Sequence, residues 1–357
     1  MKKVVVGMSG GVDSSVAAYL LKEQGYEVMG LFMKNWEEKN AEGICKSTAD
    51  YEDATRVCDI LGIPLYSVNF VQEYWDRVFS HFVEELKLGF TPNPDILCNR
   101  EIKFNVFFEK AKSLGADFLA TGHYCRIDGN KLLKGLDPGK DQSYFLYAVP
   151  REIFREVLFP IGDLQKSEVR RIAKEQGLPV HSKKDSTGIC FIGKRNFKEF
   201  ISQYIPYHPG NFENLQGEIV GHHDGAAYYT LGQRKGLGIG GPGEAWFVVD
   251  KDIKRNVVVI EQGSDHPALY ASELIAKEPT FIPATLPYRC KAKIRYREED
   301  QDCVITAANE EEMRVCFDKP RRAITPRQSI VFYDGDLCLG GALINCKFLR
   351  NFLSGIV

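Results

Sequence analysis

Short apolar runs alternate with amphipathic helical segments up to about Tyr204. Runs short enough for buried strands occupy residues 4–6, 28–33, 65–70 and 117–121. Between them, apolar residues recur at helical spacing, and a long helix is predicted from Gln72 to Leu88. Strands that alternate with helices predict a parallel, doubly wound sheet of the α/β class. Because ligands of such sheets bind beyond the carboxyl ends of the strands, a site is expected near Ser9 and His123.

The pattern changes after Tyr204, where helical spacing stops and glycine-rich turns separate short apolar runs. We therefore predict three domains: a catalytic α/β domain over residues 1–204, a small, mostly β central domain over 205–275, and a C-terminal domain over 276–357. In the last of these, Asp334 and Gly335 separate two apolar runs, which is a strong hairpin signal. An antiparallel β-barrel is expected there.

The turn after the first predicted strand carries the most specific motif of the chain. Residues 7–14 read Gly-Met-Ser-Gly-Gly-Val-Asp-Ser and precede a predicted helix. Such a turn presents free backbone N–H groups to an anion, and its glycines let phosphate oxygens approach the backbone. The Gly-Lys-Ser/Thr ending of the common phosphate loop is absent; instead Asp13 could reach phosphates through a magnesium ion. The motif is similar to the pyrophosphate loop of enzymes that split ATP between its α and β phosphates.

Overall composition narrows the class of protein without naming a partner. Hydrophobic residues make up 44% and charged residues 26% of the chain, and the formal net charge is −2. We expect neither a membrane helix, which needs about 20 consecutive apolar residues, nor a signal peptide. The ten cysteines include no Cys-x-x-Cys pair, so we expect no zinc site and no iron–sulfur cluster. These features together predict a cytoplasmic protein.

Two cysteines stand in contexts that favour chemistry. Cys98 is predicted to begin a helix, where Arg100 and Lys103 should make its thiol ionise more easily than a free thiol. Asp95, three residues earlier, is placed to move a proton. Cys190 lies in a segment rich in glycine and basic residues. Either cysteine alone favours a packed thiol, but beside an ATP-splitting loop the two together favour catalysis.

These motifs together resemble the tRNA-specific 2-thiouridylase family (MnmA/TrmU) of pyrophosphate-loop enzymes. The segments that carry the resemblance are residues 9–14, 33–36, 93–99, 120–124, 140–144, 186–193, 229–236 and 325–329. They extend over essentially the whole chain, with no departure from the family pattern at the motif positions. The resemblance implies that the N-terminal sheet is of the adenine nucleotide α-hydrolase type.

The resemblance implies a tRNA-uridine 2-sulfurtransferase that acts on the wobble uridine. AMP would pass from ATP to the C2 oxygen of that uridine, and sulfur would then replace the oxygen to form 2-thiouridine. Cys190 would carry the sulfur as a persulfide, Cys98 would be the nucleophile that releases or displaces it, and Asp95 would act as acid or base. The expected end state is a disulfide between the two cysteines that needs external reduction.

The resemblance also implies binding residues and partners. ATP binding is implied for Gly7, Met8, Ser9, Gly10, Gly11, Val12, Asp13, Ser14, Met33 and Gly122. Contact with the flipped target base is implied for Asn93, Pro94 and Asp95. tRNA contact is implied for His123, Lys140, Asp141, Gln142, Gln328 and Tyr296 or its neighbours. The expected partners are ATP with Mg²⁺, a tRNA of the Lys, Glu or Gln type, and a persulfide donor such as a cysteine desulfurase or a sulfur relay protein. We expect a monomer with no resident metal.

A basic stripe in the C-terminal domain points to an RNA surface. The stripe consists of five cations that alternate with mostly apolar residues. The cations are Arg289, Lys291, Lys293, Arg295 and Arg297. Strand spacing would place all of them on one face of the barrel. Most such faces are simply solvated, but the basic residues at 319–327 and the aromatic ring of Tyr296 favour RNA binding. We therefore include Arg295, Tyr296 and Arg297 among the predicted tRNA contacts.

Two other classes of function stay open from the sequence. A pyrophosphate-loop ligase or amidating enzyme acting on a small molecule, similar to argininosuccinate synthetase or GMP synthetase, would need neither Cys98 nor Cys190. A non-catalytic RNA-binding module that uses the barrel would leave Asp13 and the loop serines unexplained. Replacement of either cysteine by serine separates the ligase from the sulfur transferase, because only the latter would lose activity.

Overall fold

The computed structural model describes residues 1–37, 46–185, 188, 190 and 196–348, with the backbone alone at Lys46, Lys347 and Phe348. The described residues group into two compact units. The first unit draws on Met1–Ser80, Pro94–Lys194 and Gly335–Leu339, and the second on His81–Asn93, Arg195–Asp334 and Gly340–Val357. The domain boundaries predicted near residues 204 and 275 stay predictions.

The secondary structure runs as follows along the described chain. The strands are β1 (Lys3–Met8), β2 (Glu27–Lys34), β3 (Leu65–Asn69), β4 (Phe118–Ala120), β5 (Cys125–Asp128), β6 (Lys131–Lys134), β7 (Val157–Leu158), β8 (Gly210–Glu213), β9 (Ile219–His223), β10 (Trp246–Asp252), β11 (Val257–Gln262), β12 (Tyr270–Lys277), β13 (Tyr288–Lys293), β14 (Gln301–Ala308), β15 (Glu312–Arg322), β16 (Ser329–Asp334) and β17 (Leu337–Phe348). The α-helices are α1 (Val12–Glu23), α2 (Lys46–Leu61), α3 (Val71–Tyr74), α4 (Ser80–Lys87), α5 (Pro94–Leu97), α6 (Phe107–Ser113), α7 (Ser143–Leu146), α8 (Lys166–Glu175) and α9 (Phe197–Ile201). Two π-helical segments cover Trp75–Phe79 and Cys98–Val106, and short 3₁₀ helices cover Arg151–Glu156, Ala226–Tyr228 and Pro267–Leu269.

The first unit is built on a five-stranded parallel sheet in the order β3-β2-β1-β4-β7. Its centre is β1, where Val4, Val5 and Val6 have no exposed surface, as expected of a strand covered on both faces. This sheet confirms the predicted doubly wound fold. The fifth strand, β7, was missed because two residues are too short to produce a hydrophobic pattern.

The order of the strands fixes where a ligand can bind. From β1 the chain winds to β2 and β3 on one side and later to β4 and β7 on the other. The winding direction therefore reverses between β1 and β4, and a crevice opens at the carboxyl ends of these two strands. The segments that follow them contain Ser9 and Gly122, respectively.

The long helix predicted from Gln72 to Leu88 is present, because α3, the first π-helical segment and α4 follow one another from Val71 to Lys87. The helical region after Cys98 buries aromatic side chains, with Phe104 at 2% and Phe107 at 0% exposure. The sequence did not predict the π-helical geometry of Cys98–Val106.

The second unit contains β structure of two kinds. The strands β10-β11-β8-β9 form a small mixed sheet, in which β11 and β8 are parallel. The strands from β12 to β17 form an antiparallel barrel, closed because β12 pairs with both β15 and β17. The predicted hairpin joins β16 to β17, with Gly335 at φ 57°. In the described part of the chain, no helix is both long enough and apolar enough to cross a membrane.

Candidate active site

The turn after β1, residues 9–15, is called the nucleotide loop below. Gly10 has φ +69°, and a side chain there would collide with the backbone carbonyl of Asp50. The Ser14 hydroxyl donates to the Gly11 carbonyl (3.2 Å) and accepts from the Ser9 backbone N–H (3.2 Å). Helix α1 begins within this loop, so its N-terminal dipole adds partial positive charge. The nucleotide loop thus has the geometry of an anion-binding turn.

Gly122, two residues beyond β4, lies directly against the nucleotide loop. A Cβ atom at Gly122 would lie 2.7 Å from the Ser14 backbone nitrogen and 2.8 Å from the Asp13 carbonyl carbon. Any larger residue would push the loop away, so glycine is required for this approach. The contact places the nucleotide loop and the end of β4 at the two sides of the crevice.

Asp13 is the centre of a charge network beside the nucleotide loop. Its two carboxylate oxygens accept hydrogen bonds from the Lys166 Nζ atom (2.7 and 2.8 Å), and Oδ1 also accepts from the Tyr124 hydroxyl (2.7 Å). Burial and the Asp13 charge raise the pKa of Tyr124, so this hydroxyl keeps its proton. Lys166 also lies 2.9 Å from Asp185 and therefore bridges two carboxylates.

The Asp185 carboxylate forms ion pairs with three cations. Besides Lys166, its carboxylate contacts the Lys140 Nζ atom (2.5 Å) and an Arg170 guanidinium nitrogen (2.8 Å). Burial alone would raise the pKa of Asp185, but hydrogen bonds from Lys140 and Lys166 lower it to about 2. The carboxylate is therefore ionised at neutral pH, and the surrounding cations are held near the crevice.

A further lysine fastens the nucleotide loop to helix α2. The Lys183 Nζ atom donates to the Gly10 carbonyl (2.8 Å), to Asp50 (2.8 Å) and to Asp53 (2.5 Å). Sequence reasoning missed Lys166, Asp185 and Lys183. No local signal could have found them, because Lys166 and Lys183 contact partners more than a hundred residues earlier in the chain, and Asp185 contacts cations that lie 15 to 45 residues away.

Cys98, Cys190, Asp95, Lys103 and Tyr74 form what is called the cysteine centre below. The two thiols are in hydrogen-bond contact and are not linked as a disulfide. Cys98 is completely buried, whereas Cys190 is partly exposed. The hydrogen bond from the Cys98 thiol and the Lys103 charge lower the pKa of Cys190, although its partial burial acts to raise it. Of the two sulfur atoms, Cys190 is thus the more accessible and the more readily ionised.

The backbone of Cys190 is held from both sides. Its N–H donates to Asp95 Oδ1 (2.8 Å), and its carbonyl accepts from the Tyr74 hydroxyl (2.9 Å). Burial raises the pKa of Asp95, although the Cys190 N–H and the Lys103 charge oppose that rise. Asn99 in turn donates from Nδ2 to the Asp95 carbonyl (3.0 Å). Tyr74 is a member of this centre that sequence reasoning missed.

The prediction that Cys98 ionises easily is wrong. Burial raises the pKa of Cys98 well above that of a free thiol, and the nearby Lys103 only partly opposes this effect. The sequence shows the helix and the neighbouring cations, but it does not show that the thiol is sealed from water. Ionisation is favoured at Cys190 instead.

Comparison with known proteins decides the family. Family models match as a tRNA methyl transferase HUP domain over residues 2–194, a tRNA methyl transferase PRC-barrel domain over 198–262 and an aminomethyltransferase beta-barrel domain over 271–344. A protein of Protochlamydia amoebophila named tRNA-specific 2-thiouridylase MnmA is 59% identical over 350 residues, covering 96% of this chain and 93% of the relative. A Bacillus pumilus protein of the same name is 55% identical over 355 residues, covering 97% and 95%.

This chain belongs to the tRNA-specific 2-thiouridylase MnmA family. The resemblance drawn from the motifs is thereby confirmed. Among solved structures, a 4-thiouridine synthetase in complex with RNA and ATP shares 20% identity at a TM-score of 0.34, covering 57% of this chain and 50% of the other.

The residues predicted to contact adenine and the target base lie in different surroundings. Met33 is half-buried near the end of β2, with its sulfur 4.0 Å from the Asn35 amide nitrogen. Pro94 begins α5 and leads to Asp95 of the cysteine centre, while Asn93 groups with the second unit. For this MnmA-family chain, the assigned contacts with adenine and base stay predictions.

The residues of the first unit that are predicted to contact tRNA all interact with other residues of that unit. Lys140 pairs with Asp185, and Asp141, only 6% exposed, accepts backbone N–H bonds within its own turn. Gln142 accepts from the Tyr124 backbone N–H (3.0 Å), and His123 is 7% exposed. Their contacts with tRNA stay predictions, and His123 lies toward Lys103 of the cysteine centre.

The predicted basic stripe is wrong for its last two members. Strand β13 ends at Lys293, so Arg295 and Arg297 do not continue its outer face. The Arg295 guanidinium donates instead to the carbonyls of Leu231 (3.2 Å) and Ala323 (3.1 Å), which joins two loops of the second unit. The alternating pattern ran on into a turn, and spacing alone could not reveal where the strand stops.

Most of the other barrel cations are paired with acids. Ion pairs of the stripe and the adjoining cluster include Arg289–Asp318 (2.8 Å), Lys293–Asp300 (3.6 Å), Arg321–Glu298 and Arg327–Glu85 (3.0 Å). Gln328 donates to the Thr91 carbonyl within the second unit. Exposed cations with no carboxylate within ion-pairing distance among the described residues include Lys291, Arg297 and Lys319. Also among those residues, no group of three or more His, Cys, Asp or Glu side chains could hold a metal ion.

Proposed function

We propose that this chain transfers sulfur to C2 of the wobble uridine of tRNA in an ATP-dependent reaction. The observation that carries the proposal is the cysteine centre: an accessible, readily ionised Cys190 against a sealed Cys98, in the same unit as the nucleotide loop. The names of the relatives, tRNA-specific 2-thiouridylase MnmA, support the same reaction.

ATP is required because the C2 oxygen of uridine is a poor leaving group. Transfer of AMP to that oxygen, with loss of the N3 proton and release of pyrophosphate, makes it a good one. The nucleotide loop and Gly122 form a cradle narrow enough to need glycine, which supports binding of the phosphates there. Asp13 would hold Mg²⁺, which would neutralise phosphate charge when bound. Asp95, with its raised pKa, would accept the N3 proton.

Sulfur would then be delivered from the partly exposed cysteine. A persulfide on Cys190 carries a terminal sulfur that bonds to C2, and the C2–O bond breaks as AMP leaves. The Cys98 sulfur attacks the inner sulfur of Cys190 as its proton passes to N3 of the base, so that the S–S bond of the persulfide breaks and its electron pair stays with the transferred sulfur. The alternative order, in which Cys98 first releases hydrosulfide that then attacks C2, uses the same atoms. Either order leaves a Cys98–Cys190 disulfide, which an external dithiol must reduce.

The exposure of the two cysteines supports this division of roles. A donor protein can load sulfur only onto a thiol it can reach, and Cys190 is partly exposed while Cys98 is not. Methyl transfer, the activity named in two of the family models, would give the paired thiols no role. A small-molecule ligase would leave them equally unexplained.

The test is nucleoside mass spectrometry of unmodified tRNA incubated with the protein, Mg-ATP and a persulfide donor. We expect a uridine heavier by the exchange of oxygen for sulfur, absent without ATP and absent with the Cys190→Ser variant. Formation of AMP and pyrophosphate with no change in nucleoside mass would overturn the proposal and favour a ligase.

Binding of tRNA by the barrel is proposed to depend on its exposed cations. We expect the double variant with Lys291→Glu and Arg297→Glu to bind tRNA more weakly. The dependence of its tRNA affinity on salt concentration should fall by the equivalent of about one phosphate contact for each replaced residue. ATP binding should not change. The control is Lys174→Glu, which reverses an exposed charge on α8. Equal loss of affinity in the control would show a general effect of net charge and would remove Lys291 and Arg297 from the tRNA surface.

A further inference from the structure

Lys103 belongs to a helical region that is not a regular α-helix. At about 3.6 residues per turn, side chains five positions apart on an α-helix point roughly 140° away from each other. Residues Cys98–Val106 instead form a segment with π-type hydrogen bonds and a kink at Phe104, whose backbone is not helical (φ −104°, ψ 22°). Lys103, directly before this kink, is within hydrogen-bond distance of Cys190 and near enough to Cys98 for the two groups to interact electrostatically.

The Lys103 ammonium faces the two cysteines and one carboxylate. Cys190 is within hydrogen-bond distance, and Cys98 and Asp95 are close enough to interact with its charge. Burial alone would lower the pKa of Lys103, but these three groups raise it above the ordinary lysine value. Lys103 therefore stays positively charged.

Lys103 also contacts a histidine, which is itself hydrogen-bonded to a threonine. The His123 Nε2 atom lies 3.4 Å from Lys103 Nζ, and Nδ1 lies 2.7 Å from Thr121 Oγ1. Burial and the Lys103 charge lower the pKa of His123 well below its usual value, so the ring is neutral. Because an ammonium can only donate, Nε2 must be the acceptor. The Nδ1–H group then donates to the Thr121 hydroxyl.

We propose that Lys103 is a positioning residue whose fixed charge, held by the Thr121–His123 pair, keeps the Cys190 sulfur anionic and directed toward Cys98. Among the residues that the structure describes, the charged and titratable groups that face Cys190 are Cys98, Asp95, Lys103 and Tyr74. Of these, only Lys103 is a cation. Its place in sulfur transfer rests on the proposed function, but its effect on the thiol can be measured without tRNA or ATP.

The experiment measures the rate at which iodoacetamide alkylates Cys190, as a function of pH, by mass spectrometry of the peptide that contains it. In Lys103→Met, loss of the charge should raise the pKa of Cys190 by about one unit and slow alkylation near neutral pH about tenfold. At strongly alkaline pH the thiol is ionised in both proteins, so the two rates should converge. Lys103→Arg keeps a cation and should recover part of the rate.

The matched control is Arg100→Met, which removes a cation from the same π-helical segment. Arg100 pairs with Glu101 (2.7 Å), and its removal should leave the alkylation profile unchanged. His123→Leu keeps the lysine but removes its acceptor and should give a smaller slowing, about threefold. This variant tests the same arrangement if Lys103→Met does not fold.

Two results would overturn the proposal: an unchanged rate near neutral pH in Lys103→Met, or a slowing by the same factor at every pH, which indicates lost access. In the thiolation reaction, Lys103→Met should lower kcat and leave the KM for ATP unchanged. If the wild-type protein makes no 2-thiouridine but shows the expected alkylation profile, the proposed function is wrong and the role of Lys103 stands.

Discussion

The nucleotide loop and the cysteine centre lie in one unit but are assembled differently. The nucleotide loop takes its residues from one stretch, 9–15, and its serines bond to one another. The cysteine centre collects side chains from three separate places in the chain, Tyr74, the segment Asp95–Lys103 and Cys190, and a fourth place, Thr121–His123, supports it. The nucleotide loop can be recognised from the sequence motif at residues 7–14, whereas the cysteine centre exists only after folding.

The three residues 121–123, which follow β4, contact both regions. Gly122 lies against the nucleotide loop, while Thr121 and His123 support Lys103 of the cysteine centre. These three adjacent residues thus contact the two regions separately. The comparison therefore predicts variants that damage one region and spare the other.

The largest expected effect separates the cysteine centre from the nucleotide loop. Cys98→Ser and Cys190→Ser should each abolish thiolation, because serine can neither carry a persulfide nor close a disulfide. ATP affinity, measured by calorimetry, should stay at the wild-type value. Cys316→Ser, a partly exposed cysteine of the barrel, is the control and should keep full activity. Full thiolation by either of the first two variants would refute the assigned roles.

Asp13→Asn should damage the nucleotide loop alone. The amide cannot neutralise Lys166 or bind a magnesium ion as a carboxylate does, so kcat/KM for ATP should fall about 100-fold, or roughly 3 kcal/mol. Alkylation of Cys190 should keep its wild-type pH profile. Asp163→Asn, at a largely exposed carboxylate of the same unit, is the control. A shifted alkylation profile in Asp13→Asn would show that the two regions are coupled.

Gly122→Ala should have the smallest effect of the three. The added Cβ would meet the backbone at Ser14 and Asp13, and overpacking of this kind costs about 1–3 kcal/mol. We expect a higher KM for ATP and a lower thermal midpoint. Gly240→Ala, where no atom lies within 4 Å of the new Cβ, should change neither. An unchanged KM in Gly122→Ala would argue that the phosphates do not use this crevice.

The sequence by itself determined the parallel sheet, the barrel and the position of the nucleotide loop. Valine runs, helical spacing and glycine turns are local properties, and each element is fixed by residues next to one another. The same locality made Cys98 and Cys190 visible as candidates, through the motifs around them. It also misled at Arg295, where alternation continued beyond the end of β13.

Only the tertiary structure decided which thiol ionises and what holds it. Burial of Cys98 raises its pKa, and that burial depends on elements packed over it from elsewhere in the chain. Lys103 joins the cysteine centre from a helical region with π-type hydrogen bonds and a kink at Phe104, a geometry that no spacing rule for an α-helix predicts. Lys166 finds Asp13 across 153 positions of sequence. Charge and solvation are set by neighbours in space, and a sequence lists only neighbours along the chain.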